Sequence, residues 1–282
     1  MRTRVKQLAN RCANAVGYQL QDGIVVRMDV ADLRATNMGL KELRLQAIAE
    51  IEGLYREFVL DDLPAVDAER TRLMSELLGT SISEAMYILS RLHRSLEVAG
   101  DVCEFGVAQG ATSAFMANEI RATDKTLWLF DSFSGLPRPS DRDILKDDIS
   151  GLGSIAAYEG KMAFDASEVQ ARIRETDFPD SRVRIVPGYI DRQLLEVTSP
   201  AAVCFAYIDF DFYEPIKIAL EFLETVMASG GNIVVDDYDF FSTGAKTAVD
   251  EFMASRKESF EFSLPTDSAG HFCMLSRRQD PG

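Results

Sequence analysis

Four aspartates that follow two apolar runs of the sequence could together bind a cation: Asp209, Asp211, Asp236 and Asp237. The first two follow the run Val203–Ile208, and the second two follow residues 233–235. In an extended chain residues i and i+2 point to the same side, so Asp209 and Asp211 are expected to face one cleft. Carboxylates brought together repel one another, and a hard divalent cation such as Mg²⁺, Ca²⁺ or Mn²⁺ relieves that repulsion.

Other metal ligands are scarce in this chain. It has two histidines, His93 and His271, so a metal site would be built from oxygen ligands or from cysteine. The competing interpretation is that the aspartates cap helices or pair with basic side chains. The candidates for such pairing are Lys217, Lys246 and Arg192. The clustering of the carboxylates favours the metal site.

A second polar segment follows an earlier apolar run and could bind a nucleoside. It contains Glu104, Gly106 and Gly110, and the next apolar run ends at Asp131. The two glycines would let the backbone approach a ligand at the start of a helix, and an acid at a strand end can accept the hydroxyls of a ribose. The spacing is not G-x-G-x-x-G, which disfavours a dinucleotide site. The alternatives are an ordinary turn glycine and an Asx turn.

These residues need a scaffold that brings strand ends together, and the pattern from residue 100 onward predicts one. Apolar strands alternate with helices, which is typical of a doubly wound α/β sheet. The strands are expected at residues 101–106, 127–130, 183–186, 203–208 and 233–235. Two further strands, 260–264 and 272–276, have no helix between them and should pair antiparallel. Five parallel strands followed by a hairpin resemble the Rossmann-like sheet of class I methyltransferases.

The first 65 residues are expected to form a helical extension, and residues 66–282 the α/β domain. The segment 41–58 has apolar residues at helical spacing and ends before Asp61-Asp62-Leu63-Pro64. A homo-oligomer is expected. A partner helix or a dimer face is one use for the helical extension, and packing on its own core is the more common one. Residues 138–165 form a long insertion, which we expect to close over a bound molecule as a lid.

Composition excludes several classes of protein. The 282 residues carry a net charge of −15, which disfavours nucleic acid as a partner. The longest apolar run, residues 201–208, is too short to span a bilayer, which takes about 20 residues. The four cysteines are scattered without a CxxC pair: Cys12, Cys103, Cys204 and Cys273. That pattern suits a reducing compartment, so a cytoplasmic location is expected.

Taken in order, these motifs resemble those of the macrocin O-methyltransferase family, over about residues 67–275. The resemblance rests on several stretches: CEFGVAQGATS (103–113), FDSFSGLP (130–137), FDASEVQARI (164–173), VRIVPGYI (183–190), YIDFDFYEP (207–215) and IVVDDYDFFSTGAKTAVDEF (233–252). Members of the family are S-adenosylmethionine- and Mg²⁺-dependent sugar O-methyltransferases of macrolide and aminocoumarin antibiotic pathways. Residues 66–282 would then be the catalytic domain.

The resemblance implies a role for each matching residue. The residues that would line the S-adenosylmethionine site are Glu104, Gly106, Gly110, Thr112, Ser113, Asp131, Ser132, Phe133 and Gly188. Asp209, Asp236 and Asp237 would bind the metal, and Asp211 would be the general base. The chain departs from frequent family residues in the glycine loop and after Asp209, which bears on the identity of the acceptor.

The function expected from the resemblance is methylation of a sugar hydroxyl on a glycosylated small molecule. One alternative is a metal-dependent O-methyltransferase of an aromatic diol. Six aromatic residues near the aspartates keep it open: Phe210, Phe212, Tyr213, Tyr238, Phe240 and Phe241. The other alternative is a non-catalytic nucleoside-binding protein of the same fold, for which a carboxylate cluster would have no use.

Overall fold

The N-terminal part contains a hairpin and a long helix. The computed structural model describes residues 18–21, 24–27, 30–266 and 269–279, with side chains from residue 37 onward, and divides the chain into units 1–50 and 51–282. Strands β1 (Tyr18–Gln21) and β2 (Ile24–Arg27) pair antiparallel and precede helix α1 (Val30–Phe58). The hairpin was not expected within a helical extension. The domain boundary at residue 65 stays a prediction.

The larger unit is built on a seven-stranded sheet. Its strands are β3 (Asp101–Phe105), β4 (Leu127–Asp131), β5 (Val183–Pro187), β6 (Val203–Ile208), β7 (Met227–Val235), β8 (Phe260–Ser263) and β9 (Cys273–Arg277). They lie in the order β5-β4-β3-β6-β7-β9-β8. All pairings among the first five are parallel, whereas β9 pairs antiparallel with both β7 and β8. The predicted doubly wound, mostly parallel sheet with a C-terminal antiparallel pair is confirmed.

Seven further helices accompany the sheet. They are α2 (Ala68–Met74), α3 (Ile82–Ser95), α4 (Ala111–Ile120), α5 (Ala166–Arg174), α6 (Arg192–Val197), α7 (Tyr213–Val226) and α8 (Gly244–Ala254). Side-chain caps set several of their starts: Ser81, for example, accepts a hydrogen bond from the Glu84 N–H, at 3.0 Å. Every residue of the central strand β6 is buried, because helices cover both faces of a parallel sheet.

Strand β7 begins earlier than the sequence pattern predicted. The strand was expected at residues 233–235, but residues 229–231 also lie within β7. Here the register with β6 shifts between Val203 and Phe205, so the opening residues of β7 form an irregular stretch of the ladder. In the sequence, Ser229, Gly230 and Gly231 look like a turn, which explains why the strand was predicted to begin later than it does.

The ladder carries four strand tips to a common edge. Phe105 pairs with Phe130 and with Ile208, and Ile208 pairs with Val235. Backbone hydrogen bonds continue past the strand ends. The Asp209 N–H donates to the Phe105 carbonyl at 2.7 Å, and the Asp236 N–H donates to the Ile208 carbonyl at 2.8 Å. The residues that follow β3, β4, β6 and β7 are therefore neighbours.

The insertion at 138–165 is folded and attached to the segments that follow β6 and β7. Leu145 forms a β-bridge with Ser242, and the buried Asp143 accepts a hydrogen bond from the Tyr213 N–H at 2.8 Å. Tyr158 is fully buried in a small apolar cluster with Leu136, Phe212 and Phe241. The insertion thus shares a small apolar cluster with the segments that follow β6 and β7.

The three cysteines among the described residues, Cys103, Cys204 and Cys273, are free and buried in strands, whereas Cys12 lies outside those residues. Within the part of the chain that the structure describes, no helix is long and apolar enough to cross a membrane.

Candidate active site

A cavity of about 440 Å³ lies at the carboxyl edge of the sheet, within the size range of small-molecule sites. Seven residues predicted for the site line it: Gly106, Asp131, Ser132, Asp209, Asp211, Asp236 and Asp237. The rest of the wall is largely apolar and includes Leu136, Ile149, Met162, Phe164, Tyr189 and Ile190. Residues that follow five strands, β3 to β7, and residues of the insertion therefore enclose one space.

The four aspartates share this cavity, although two of them adopt a strained backbone. Asp211 and Asp237 have φ angles of +62° and +55°, in the left-handed region that non-glycine residues seldom occupy. The Ser242 hydroxyl donates to the Asp211 carbonyl at 3.0 Å and supports this conformation. Left-handed residues of this kind cluster at functional sites.

Burial raises the pKa of each of these carboxyl groups, and repulsion from neighbouring carboxylates adds to the effect on Asp209, Asp211 and Asp237. Burial raises the pKa of Asp209 well above its usual value, and the charges of Asp236, Asp211 and Asp237 add to the effect. Burial and Asp236 raise the pKa of Asp211 to about 7. The pKa of Asp237 rises to about 9 for the same reasons, with Asp211 as a further contributor. Burial also raises the pKa of Asp236.

The predicted alternative partners of the aspartates are engaged elsewhere. Lys246 lies over the ring of Tyr238, Arg192 pairs with Glu221 at 2.9 Å, and Lys217 lies over the ring of Tyr213. The charged groups that act most strongly on Asp209 are all carboxylates. Ion pairing with these three basic side chains therefore does not account for the cluster.

The donor chemistry of this cluster fits a hard divalent cation, but the side chains are not arranged as a coordination shell. Asp211 and Asp237 are hydrogen-bonded to each other, as are Glu84 and Asp236. Among the described residues no three His, Cys, Asp or Glu side chains surround one point as metal ligands do. All the donors are carboxylate oxygens whose repulsion a cation would relieve, so binding would replace these carboxyl–carboxyl contacts.

Asp131 fixes the loop after β3. One of its carboxylate oxygens accepts hydrogen bonds from the N–H groups of Val107 and Ala108, at 2.7 and 3.0 Å, and the other accepts from Phe133 N–H at 2.7 Å. The last bond is the Asx turn considered as an alternative. A carboxylate has about four acceptor positions, so Asp131 orders the loop and keeps capacity for one further donor.

Gly106 makes a close contact between backbones that no other residue could make. Its φ is +89°, and a Cβ there would lie 1.9 Å from the Asp209 carbonyl oxygen. The glycine thus lets the end of β3 pass directly against the segment that carries Asp209 and Asp211.

Six predicted cofactor residues do not form the cavity wall: Glu104, Gly110, Thr112, Ser113, Phe133 and Gly188. Glu104 is buried beneath it and accepts a hydrogen bond from the Ser113 hydroxyl. Burial raises the pKa of Glu104 to about 8. The Thr112 hydroxyl is 3.1 Å from that of Thr80, and Gly188 N–H donates to the Asp131 carbonyl at 2.9 Å. These residues lie outside the cavity wall, and two of them, Phe133 and Gly188, contact Asp131, which lines it.

Comparison with known families identifies the fold and its class. Residues 81–264, more than half of the chain, match the model of the family described as Macrocin-O-methyltransferase (TylF). The chain belongs to this macrocin O-methyltransferase family. Its sheet is that of the class I O-methyltransferases: the fold of the O-methyltransferase NovP matches with a TM-score of 0.61 at 23% identity, covering 83% of this chain and all of that one.

Two curated relatives are similar over part of their length. Demethyldecarbamoylnovobiocin O-methyltransferase of Streptomyces niveus is 32% identical over 56% of this chain and 59% of its own. The 8-demethyl-8-(2,3-dimethoxy-alpha-L-rhamnosyl)-tetracenomycin-C 4'-O-methyltransferase of Streptomyces olivaceus is 31% identical over 50% of this chain and 54% of its own. The matches thus span a little over half the length of these relatives.

Two side chains near the aspartate cluster were not predicted from the sequence of this macrocin O-methyltransferase family member. Tyr207, in β6, and Glu84, in the first turn of α3, are both buried beside Asp236. Tyr207 stands two residues before Asp209, so the same i, i+2 rule that paired the aspartates could have found it. Nothing local in the sequence marks Glu84, because α3 meets β6 only in the folded chain.

Proposed function

We propose that the chain is an S-adenosylmethionine- and Mg²⁺-dependent O-methyltransferase that modifies a sugar hydroxyl of a glycosylated small molecule. The observation that carries this proposal is that four aspartates after β6 and β7 share one cavity with Gly106, Asp131 and Ser132. Membership of the macrocin O-methyltransferase family supports methyl transfer as the reaction. The names of the two Streptomyces relatives support a glycosylated acceptor.

The two bound groups would supply the reactive chemistry. S-adenosylmethionine carries a methyl group on a sulfonium, and it would be bound on the side of the cavity formed by Gly106, Asp131 and Ser132. Mg²⁺ supplies Lewis-acid polarisation of an acceptor hydroxyl, and Asp209, Asp236 and Asp237 would hold it. The protein's own contribution is to orient the acceptor in line and to exclude water.

Asp211 is the residue placed to take the acceptor's proton. Its carboxyl group is buried, lines the cavity beside Asp237 and belongs to the same strand tip as Asp209. A hydroxyl oriented by the neighbouring aspartates would lie within hydrogen-bond reach of Asp211, as a general base requires. The insertion contributes Ile149, Met162 and Phe164 to the same wall and would act as the lid over the acceptor.

The wall has features for either acceptor: four aspartates that suit a sugar, and a largely apolar remainder that suits an aromatic diol. Of the six aromatic residues that suggested an aromatic acceptor, Phe210 and Phe240 line the cavity, whereas Phe212 and Phe241 are buried in the apolar cluster around Tyr158. With four aspartates in the same wall, the region around the cluster suits a polyhydroxylated ring.

The test is a methyl-transfer assay with and without metal. Purified protein and S-adenosylmethionine are offered demethyldecarbamoylnovobiocin or catechol, after EDTA treatment and after addition of Mg²⁺. We expect a product heavier by one methyl group with the glycosylated acceptor, loss of turnover in EDTA, and recovery with Mg²⁺. Undiminished turnover in EDTA would refute the metal role, and a preference for catechol would refute the sugar acceptor.

A single variant tests the base. Asp211→Asn is expected to bind S-adenosylmethionine like the wild type and to lose about 10²–10⁴-fold in turnover. A near-normal rate would exclude Asp211 as the base. Homo-oligomerisation and cytoplasmic location remain predictions, for which sedimentation and cell fractionation are the measurements.

A further inference from the structure

Tyr207 places a buried hydroxyl directly behind the aspartate cluster. The residue is fully buried in β6, where it pairs with Glu104 on one side and Val234 on the other. Its hydroxyl lies 3.1 Å from a carboxylate oxygen of Asp236 (Oδ2) and 3.1 Å from one of Glu84 (Oε1). Neither Tyr207 nor Glu84 lines the cavity. Both therefore contact Asp236 from the side opposite to any bound molecule.

Asp236 is held on three sides. One carboxylate oxygen accepts a hydrogen bond from the Asp237 N–H at 2.7 Å, and the other faces the Tyr207 hydroxyl. A third contact is the carboxyl group of Glu84, which lies against that of Asp236. Since a carboxylate has about four acceptor positions, the hydrogen bonds from Asp237 and Tyr207 leave positions open for a ligand in the cavity. They also prevent the carboxylate from rotating without losing bonds.

The position of Glu84 is itself set by the fold. It stands in the first turn of α3, with its N–H capped by Ser81, and only 4% of its surface is exposed. The helix packs against β6 and β7, which directs this side chain to the point where those strands end. A buried carboxyl group without a basic partner costs stability, so its placement beside Asp236 calls for a role.

We propose that Tyr207 and Glu84 are positioning residues that fix Asp236 so that its carboxylate keeps an acceptor position open to the divalent cation. This inference rests on the proposed metal-dependent function. It assigns both residues to the layer behind the ligands, where hydrogen bonds orient a ligating carboxylate. Neither residue touches the acceptor or the cation.

Binding of Mn²⁺ by the full chain, measured by calorimetry and by its paramagnetic resonance signal, tests the role of Tyr207 without any turnover. Tyr207→Phe removes one hydroxyl and keeps the ring in the sheet. We expect Mn²⁺ affinity to fall about 10–100-fold, as is typical when such a partner is lost. The matched control is Tyr87→Phe, which also removes a buried hydroxyl from a hydrogen bond, here one to Thr266 at 2.6 Å. The control should bind Mn²⁺ like the wild type.

Two substitutions at Glu84 separate positioning from direct ligation. Glu84→Gln keeps the shape of the side chain and polar atoms beside both Asp236 and Tyr207, so it should bind Mn²⁺ within a few-fold of the wild type. Glu84→Leu removes these polar atoms and should weaken binding about 10–100-fold. Thermal unfolding of each variant identifies any loss that is due to misfolding, and Glu84→Gln and Tyr207→Phe keep shape closely enough to decide the question if Glu84→Leu does not fold.

The outcomes are distinct. Wild-type affinity in Tyr207→Phe, or equal losses in Tyr207→Phe and Tyr87→Phe, would overturn the positioning role of Tyr207. Equal losses in Glu84→Gln and Glu84→Leu would make Glu84 a ligand and overturn its positioning role. Absence of Mn²⁺ binding by the wild type would refute the metal site and this inference with it, whereas Mn²⁺ binding unaffected by these variants would refute the inference alone.

Discussion

Replacing Gly106 by alanine should damage catalysis much more than the size of a methyl group suggests. The new Cβ would lie 1.9 Å from the Asp209 carbonyl oxygen, while real Cβ atoms essentially never come within 3.0 Å of another heavy atom. The backbone at Asp209 must therefore move by more than 1 Å. A displacement of this size at reacting groups can cost about 10²-fold in rate.

Gly79 provides the matched control. Its φ is +90°, almost the same as at Gly106, and it lines the same cavity, but a Cβ there would meet nothing within 4 Å. Gly79→Ala should therefore show only the cost of a left-handed alanine, about 1–2 kcal/mol. Gly106→Ala adds the displacement of a buried strand tip, and its total cost should reach about 3–5 kcal/mol.

The assays are thermal unfolding and steady-state methyl transfer on both variants. We expect Gly79→Ala to retain a rate within a few-fold of the wild type, and Gly106→Ala to lose about 10²-fold in kcat/KM. If the two variants were equally stable and equally active, the close approach of the β3 and β6 tips would not be the reason for glycine at position 106, and the reasoning would fail.

Two further predictions concern buried charges. Burial raises the pKa of Glu104 from its ordinary value to about 8, so between those values the folded protein binds more protons than the unfolded chain. Stability should therefore fall as pH rises from about 5 to 8, by up to about 1.4 kcal/mol per pH unit. Glu104→Gln should flatten this dependence in thermal unfolding, and an unchanged slope would contradict the assignment. Arg70 donates two hydrogen bonds to Glu119, at 2.9 and 2.8 Å, and one to Glu52 at 3.0 Å. Arg70→Met should cost about 3–5 kcal/mol in urea unfolding, because it removes the guanidinium from the buried Glu52 and leaves Glu119 with its contact to His93. A loss below about 1 kcal/mol would show that these carboxylates are not electrostatically dependent on the arginine.

The sheet could be predicted from the sequence because its strands are short apolar runs that end at polar residues. Strands of this kind are buried on both faces, so they can be recognised in the sequence as continuous apolar runs without tertiary information. The start of β7 could not be found in this way, since glycines that open an irregular ladder look like a turn. The β1–β2 hairpin was not predicted, although Asp22-Gly23 between two β-prone segments is a hairpin signal. The helical spacing of residues 41–58 predicts a helix for those residues alone and says nothing about the residues before them.

The site was predictable where strand ends define it and unpredictable where other elements contribute. Asp209 and Asp236 follow from the alternation of strands and acids. The contacts of Asp131 with the loop after β3 depend on the register of β3 and β4, which no local pattern reveals. Glu84 and Tyr207 meet only because α3 packs over β6, a contact between residues separated by more than a hundred positions.

The attachment of the insertion has a consequence for engineering and for divergence of relatives. Asp143 binds the first turn of α7, directly after Asp211, and Leu145 bridges to Ser242, shortly after Asp237. A graft that exchanged residues 138–165 alone would break both attachments and disturb the carboxylates behind them. Chimeras designed to accept a new molecule should therefore transplant this insertion together with residue 213 and residues 240–244, so that both attachments are kept.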